Sequence, residues 1–399
     1  MPSATTHDRP RRVAVRAAQL FDSTSATLRE NPMVLIDGDT ITAVDFGVAP
    51  PPDAEVHDLD GATLLPGLVD IHVHLAFDAS PTAVDNLAAR SEDEVIAAMT
   101  EAGRRAALGG VTTVRDLGDR AYLSLQLRGR TGLPTILAAG PPMTLANGHC
   151  HFLGGVVEQG EQGVRAGVRD RVERGVDVIK VMGSGGQMTP GTRQEEAQFS
   201  PAEMVAIVDE AHRHGRPVAV HAHATAGVAN AVAAGVDTIE HVTFWTADGV
   251  ESPADLIAEI ARRQVVVSAT AGMLPPAPEV PPPPPEIVAR IPLVLANIRL
   301  LLDAGARVLA GSDAGIGPGK PHDVLRYAPP MMQATGLEPG RVLQIITALA
   351  ADAIGVGASK GRLAAGYDAD LLVVRGNPVD DVQALHDIEA VYVRGERVR

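Results

Sequence analysis

Leu64-Leu65-Pro66-Gly67-Leu68-Val69-Asp70-Ile71-His72-Val73-His74-Leu75 is an apolar run carrying two histidines at positions i and i+2. A strand alternates its side chains with period two, so His72 and His74 face the same way. Two neighbouring imidazoles can take one divalent metal ion. Two ordinary strand histidines would read the same. What favours a metal is the rest of the chain, which offers further ligand types at later strand ends.

Downstream, strand-like and helical runs alternate. The strand candidates are 68–74, 111–116, 134–138, 176–182, 217–222, 236–241, 264–268 and 307–312. Between them, Ser91 with Glu94 opens a helical run to Leu108, and Ser200-Pro201-Ala202-Glu203 combines a cap, an N1 proline and a capping-box acid. Strands separated by helices imply a parallel sheet, and eight closing on themselves imply an α/β fold of the (β/α)8 TIM-barrel type.

The two ends have a different texture. Met33–Ile36 and Ile41–Val44 flank Asp37-Gly38-Asp39, a hairpin signal. Leu371–Val374 and Ile388–Val393 are again strand-like. Chain ends commonly lie close together, so residues 1–61 and 359–399 are expected to build one small β-sandwich module beside a barrel over 62–358. Leu274–Pro285 holds eight prolines and cannot be helix or central strand. It reads as a stiff polyproline-type loop near a barrel mouth, with partner docking as the alternative.

Composition narrows the function. The chain has 399 residues, 45% hydrophobic and 21% charged, enough for a sizeable core. A net charge of −15 argues against nucleic acid or an anionic membrane as partner, and an aromatic fraction of 3% weakens base stacking. Cys150 is the one cysteine, so no intrachain disulfide forms. Met1 to Arg16 lacks a signal-peptide core, and no run reaches the roughly 18 apolar residues of a membrane helix. A cytoplasmic protein is the expectation.

In such barrels the active site lies at the carboxyl ends of the strands. Those ends carry His72 and His74, Lys180, His221 or His223, His241 and Asp313. Singly, Lys180 could be a salt-bridged lysine and Asp313 a helix cap. Asn147-Gly148-His149-Cys150-His151 follows the third strand and reads as a zinc site, a substrate-contacting loop or plain polar loop. A closed zinc site needs about four ligands, and a second pair is missing, so substrate contact through His149 is preferred. Arg115 and Arg193 are candidate clamps for a substrate carboxylate, and His322 is a weaker site candidate. Gly185-Gly186 lacks the lysine and spacing of a phosphate loop.

The set resembles the amidohydrolase superfamily of metal-dependent hydrolases, as does the tail Lys360-Gly361-Arg362-Leu363-Ala364-Ala365-Gly366-Tyr367-Asp368-Ala369-Asp370-Leu371. Ile179-Lys180-Val181-Met182-Gly183-Ser184-Gly185-Gly186 and Gln198-Phe199-Ser200-Pro201 resemble the branch of Xaa-Pro dipeptidases, N-acyl amino acid hydrolases and ochratoxin-type amidases. That resemblance implies two divalent ions, usually zinc, bridged by a lysine carboxylated by CO2. His72, His74 and Asp313 would hold the more buried ion, His221 and His241 the second, and carboxylated Lys180 both. The ions would generate hydroxide near neutral pH, with Asp313 as proton carrier. His223 stands where relatives carry a tyrosine on the substrate carbonyl, and is expected to help polarise it.

The implied reaction is cleavage of the C–N amide bond of a small N-acyl amino acid, dipeptide or similar amide. A cyclic amide, as in imidazolonepropionase-like relatives, or a lactone is the alternative. A catalytically silent barrel used as a binding module is the rival of another class. A small-molecule substrate and further copies of the same chain are the expected partners, without nucleic acid or membrane.

Overall fold

The computed structural model describes residues 12–399 except Glu279, Pro281, Pro283 and Pro284, with the Glu286 side chain also outside the described set. It comprises two compact units, one from the two ends of the chain, up to Val69 and from Pro339 onward, and one over Asp70–Glu338.

In the first unit both ends of the chain enter one eight-stranded sheet. Glu55–Pro66 runs parallel to Val13–Leu20 on one side and antiparallel to Leu371–Arg375 on the other. Pro32–Asp37 and Thr40–Phe46 pair antiparallel across the expected hairpin. Gly38 turns it at φ +63°, a conformation glycine adopts without steric cost. Alternate positions from the strands meet in one apolar core that includes Val15, Ile36, Leu64, Leu371 and Tyr392.

The second unit is built on strands we label β1 (Leu68–Val73, entered from the first unit), β2 (Val111–Asp116), β3 (Thr135–Ala138), β4 (Ile179–Met182), β5 (Val218–Ala224), β6 (Thr238–Thr246), β7 (Val266–Ser268) and β8 (Arg307–Leu309). They pair in chain order as two sheets, β1–β3 and β4–β8. β2 pairs parallel with β3, and β4 to β8 pair parallel in succession. Isolated parallel bridges join the sheets, Met143 to Val181 at one seam and Val73 to Ala314 at the other. All residues of β1, β2 and β4 are buried. That is why these strands read as near-continuous apolar runs rather than as alternating ones.

The helices begin where their caps dictate. Ser91 and Glu94 form a reciprocal capping box at Glu92–Leu108, and Ser200 and Glu203 do the same at Pro201–Arg213. Such a cap contributes about 1 kcal/mol. The proline run departs from expectation at its end: Pro285 opens a helix, Pro285–Asp303. Proline is welcome at the first helical position because its missing N–H has no partner there anyway. Positions 279, 281, 283 and 284 of the run lie outside the described residues. Among the described residues no helix is long and apolar enough to cross a membrane.

Candidate metal centre

The end of β1 delivers two imidazoles with their Nε2 atoms 3.2 Å apart. Both atoms lie 3.3 Å from Asp313 Oδ1, just past β8. Asp313 is held there by its own backbone, whose N–H donates to His72 O at 2.7 Å. Gly311 permits the close approach, since a Cβ there would lie 2.8 Å from His72 Cβ. His241 on β6 joins this group and also stands with His221 and His223 of β5, its ring centroid 4.6 Å and 4.2 Å from theirs. The result is two ligand triads, His72–His241–Asp313 and His221–His223–His241, each with its ligand atoms within 4.8 Å.

Lys180, from β4, lines the same cavity at 1% exposure, and its buried Nζ has no hydrogen-bond partner. A buried polar atom left unsatisfied is costly unless something else meets it. Burial pushes its ammonium down to about 8. A lysine that sheds its proton readily is also the form that can take up CO2. The donor set, neutral imidazoles with a carboxylate and an orphaned buried lysine, fits a pair of divalent ions.

A second layer aims the ligands. Glu240 Oε2 lies 3.0 Å from His72 Nδ1, and its Oε1 accepts from Arg115 Nη2 at 3.0 Å. Arg115 Nε donates to Ile71 O at 2.7 Å, so the guanidinium pins both the carboxylate and the β1 backbone. With Nδ1 facing that carboxylate, His72 presents Nε2 to the centre. His74 Nδ1 meets Gly118 O at 3.2 Å and His241 Nδ1 meets Thr270 Oγ1 at 3.1 Å, which likewise leaves Nε2 free. His221 is reversed, its Nε2 lying 3.1 Å from Gly185 O, and His223 Nδ1 meets Thr243 Oγ1 at 2.9 Å. Asp70 Oδ1 accepts from the backbone N–H of His72 and Ser312, tying β1 to the turn before Asp313.

Burial, reinforced by Lys180, lowers His72 to about 4, so the imidazole is neutral at physiological pH and able to ligate. His221 is depressed further by burial and by His241, and His241 by burial and by His223. Burial is the largest influence on Asp313 and Glu240 and opposes their ionisation, but His72 together with the other neighbouring charges and hydrogen bonds outweighs it at both. Asp313 stays well below the ordinary carboxylate range and Glu240 at about 2. Two ligand residues also hold left-handed backbone, His241 at φ +76° and Asp313 at φ +59°. Such geometry costs on the order of 1–3 kcal/mol and clusters at functional sites.

A cavity of about 880 Å3 opens over the centre. His149 and Cys150 line it, and His149 is lowered to about 4 by burial and by Lys180. Neither arginine expected to clamp a carboxylate reaches it. Arg115 is spent on Glu240 and Ile71 beneath the ligands, and Arg193 is exposed and paired with Glu195 and Glu196. His322 is a strut, with Nε2 3.1 Å from His74 O.

The cavity's own arginine is Arg290, stacked on Trp245, and sequence reasoning missed both. It missed Glu240 as well. Strand alternation sends Glu240 and His241 to opposite faces, and only the positive φ of His241 lets both reach His72.

The amidohydrolase family model matches residues 63–398. The chain belongs to the amidohydrolase family. Among family relatives, ochratoxinase of Aspergillus niger is 31% identical over 242 residues, 59% of this chain and 48% of that protein. The chain thus spans about half the length of that curated relative. Imidazolonepropionase of Deinococcus radiodurans is 25% identical over 385 residues, 87% of this chain and 86% of that protein. A solved Xaa-Pro dipeptidase with methionine bound in its active site superposes with a TM-score of 0.82 at 26% identity, over 96% of this chain and 98% of that one. The second unit therefore has the TIM-barrel-like α/β fold of this amidohydrolase family.

Proposed function

We propose that this amidohydrolase-family protein hydrolyses a C–N amide bond using two divalent ions, most simply zinc. His72, His74 and Asp313 would hold one ion, His221 and His241 the other, and Lys180, carboxylated by CO2, both. When bound, the ions supply a water acidic enough to serve as nucleophile near neutral pH and a Lewis acid for the carbonyl. The orphaned Nζ of Lys180 beside two candidate ligand triads is the observation that carries the reading. An ammonium in that place repels ligated cations, whereas a carbamate meets them with anionic oxygen.

Asp313 is ionised at neutral pH and touches both β1 histidines, so it can accept a proton from the attacking water and pass it to the leaving nitrogen. His223, neutral and lowered to about 3 by burial and by His149, is aimed by Thr243 and supports the substrate carbonyl. His149 lines the cavity as a substrate contact. The same reading takes β1–β8 as a closed (β/α)8 barrel and the terminal sheet as a sandwich folded over its shared core.

A cyclic amide is the second reading, favoured by the longer match to imidazolonepropionase than to ochratoxinase. One experiment separates them. Protein produced with zinc is assayed for bound metal and against N-acyl amino acids, dipeptides, cyclic amides and lactones. Two equivalents of metal with turnover of open-chain amides supports the proposal. Turnover of cyclic amides alone moves it to the second reading, and chelator-insensitive protein without metal overturns both.

A further inference from the structure

We propose, resting on the amide-hydrolase reading, that the substrate is a bulky apolar amide bearing a carboxylate. Helix Pro285–Asp303 would be its recognition wall and Arg290 on Trp245 its carboxylate subsite. Ile287, Ile291, Val294, Leu295 and Ile298 line the cavity from that helix. Their spacing follows the helical period, so a single face of the helix forms the wall. Ile291 is 42% exposed, a large apolar side chain presented to an open cavity rather than to protein. A cavity of about 880 Å3 is the size that takes a drug-sized ligand, well beyond a minimal acyl-glycine.

Charge sets the other requirement. The charged residues lining the cavity are Asp85, Lys180, Arg290, Asp313 and Lys320. Lys180 and Asp313 belong to the ligand cluster. Lys320 is committed, donating Nζ–H bonds to Thr270 O at 3.0 Å and Ser312 O at 2.8 Å. Arg290 is different. Its guanidinium lies 4.2 Å from the Trp245 ring centroid, and the carboxylate that feels its charge, Glu195, is hydrogen-bonded to Arg193 instead. Stacking on the indole holds the guanidinium plane and leaves its N–H edge for a bidentate carboxylate. Trp245 in turn stands 5.6 Å from His223, which connects this subsite to the metal centre.

Trp245 is the single tryptophan of the chain, so its fluorescence reports this wall without any need for turnover. Full-length protein is titrated with N-acetylglycine, N-octanoyl-L-leucine and the carboxamide of the latter. N-octanoyl-L-leucine is expected to bind at least about tenfold more tightly than N-acetylglycine. Arg290→Gln should weaken the acid about tenfold and the carboxamide less than about twofold. Ile291→Asn should weaken the octanoyl compound and leave N-acetylglycine unchanged. Equal affinity across the acyl series, or an Arg290→Gln effect that ignores the carboxylate, overturns the inference.

Hydrolysis is scored separately on zinc-loaded protein. Bulk- and charge-dependent binding without cleavage of any amide would remove the proposed activity and leave the wall intact. Cleavage indifferent to bulk and charge would do the reverse.

Discussion

Two lysines are buried in this molecule, one in each unit, and they are treated in opposite ways. Lys360, in the terminal unit, is 4% exposed and places Nζ 2.7 Å from both Asp368 and Asp370. Lys180, in the second unit, is 1% exposed and its Nζ bonds to nothing. A buried cation that the fold has paired is part of the architecture. One that the fold has stranded beside histidines and a carboxylate is what the proposed metal-bridging carbamate requires. The contrast teaches that burial alone does not mark function; here the absent partner counts because it coincides with two ligand triads.

The comparison breaks most visibly at Lys180. Lys180→Met should lower metal-supported kcat/KM on the order of 10³-fold, since it removes several kcal/mol of transition-state stabilisation. The metal-free variant should melt no lower than its parent, because an unpaired buried ammonium contributes no stability to lose. A melting temperature that collapses with the substitution would make Lys180 structural, like Lys360. Lys360→Met is the mirror image. It strands two carboxylates and should cost about 3–5 kcal/mol in urea unfolding, with kcat/KM of the folded fraction unchanged.

Glu240→Gln sharpens the comparison inside the second unit, where Arg115, unlike Lys180, is fully spent. The variant leaves Arg115 without its anion and His72 without the carboxylate that fixes its tautomer. Zinc affinity, measured by competition with a chelator, should fall about 10–100-fold. Unchanged affinity would show that Glu240 serves only to neutralise Arg115.

The contrast was half legible in the sequence. His72, His74, Lys180, His221, His241 and Asp313 are readable because each closes an apolar run, and an apolar run has a period and a length. The hairpin at Gly38 and the caps at Ser91 and Ser200 are equally local. Glu240 was hidden because strand alternation with an inward His241 would turn it away, and only the positive φ of His241, which no side-chain pattern announces, brings that imidazole to the same side. Arg290 and Trp245 were hidden for a different reason. They lie 45 residues apart in the chain, and the helix carrying Arg290 follows a proline run that reads as loop. Arg115 was misplaced because arginine at a strand end is equally suited to a ligand and to a buried glutamate, and only the packing decides.

The smallest expected effect is the one that tests this last distinction. Arg193 was a candidate clamp on the same chemical grounds as Arg290, yet it sits outside the cavity, exposed, with Glu195 and Glu196 already beside it. Exposed ion pairs of this kind contribute little and are screened by salt. Arg193→Ala should therefore leave kcat/KM for carboxylate-bearing amides within about twofold of the parent, across the salt range in which the protein is active. A selective rise in KM for the acids over their carboxamides would return the carboxylate subsite to Arg193. Arg290 would then be left as a wall residue whose stacking on Trp245 serves only to cover the ring.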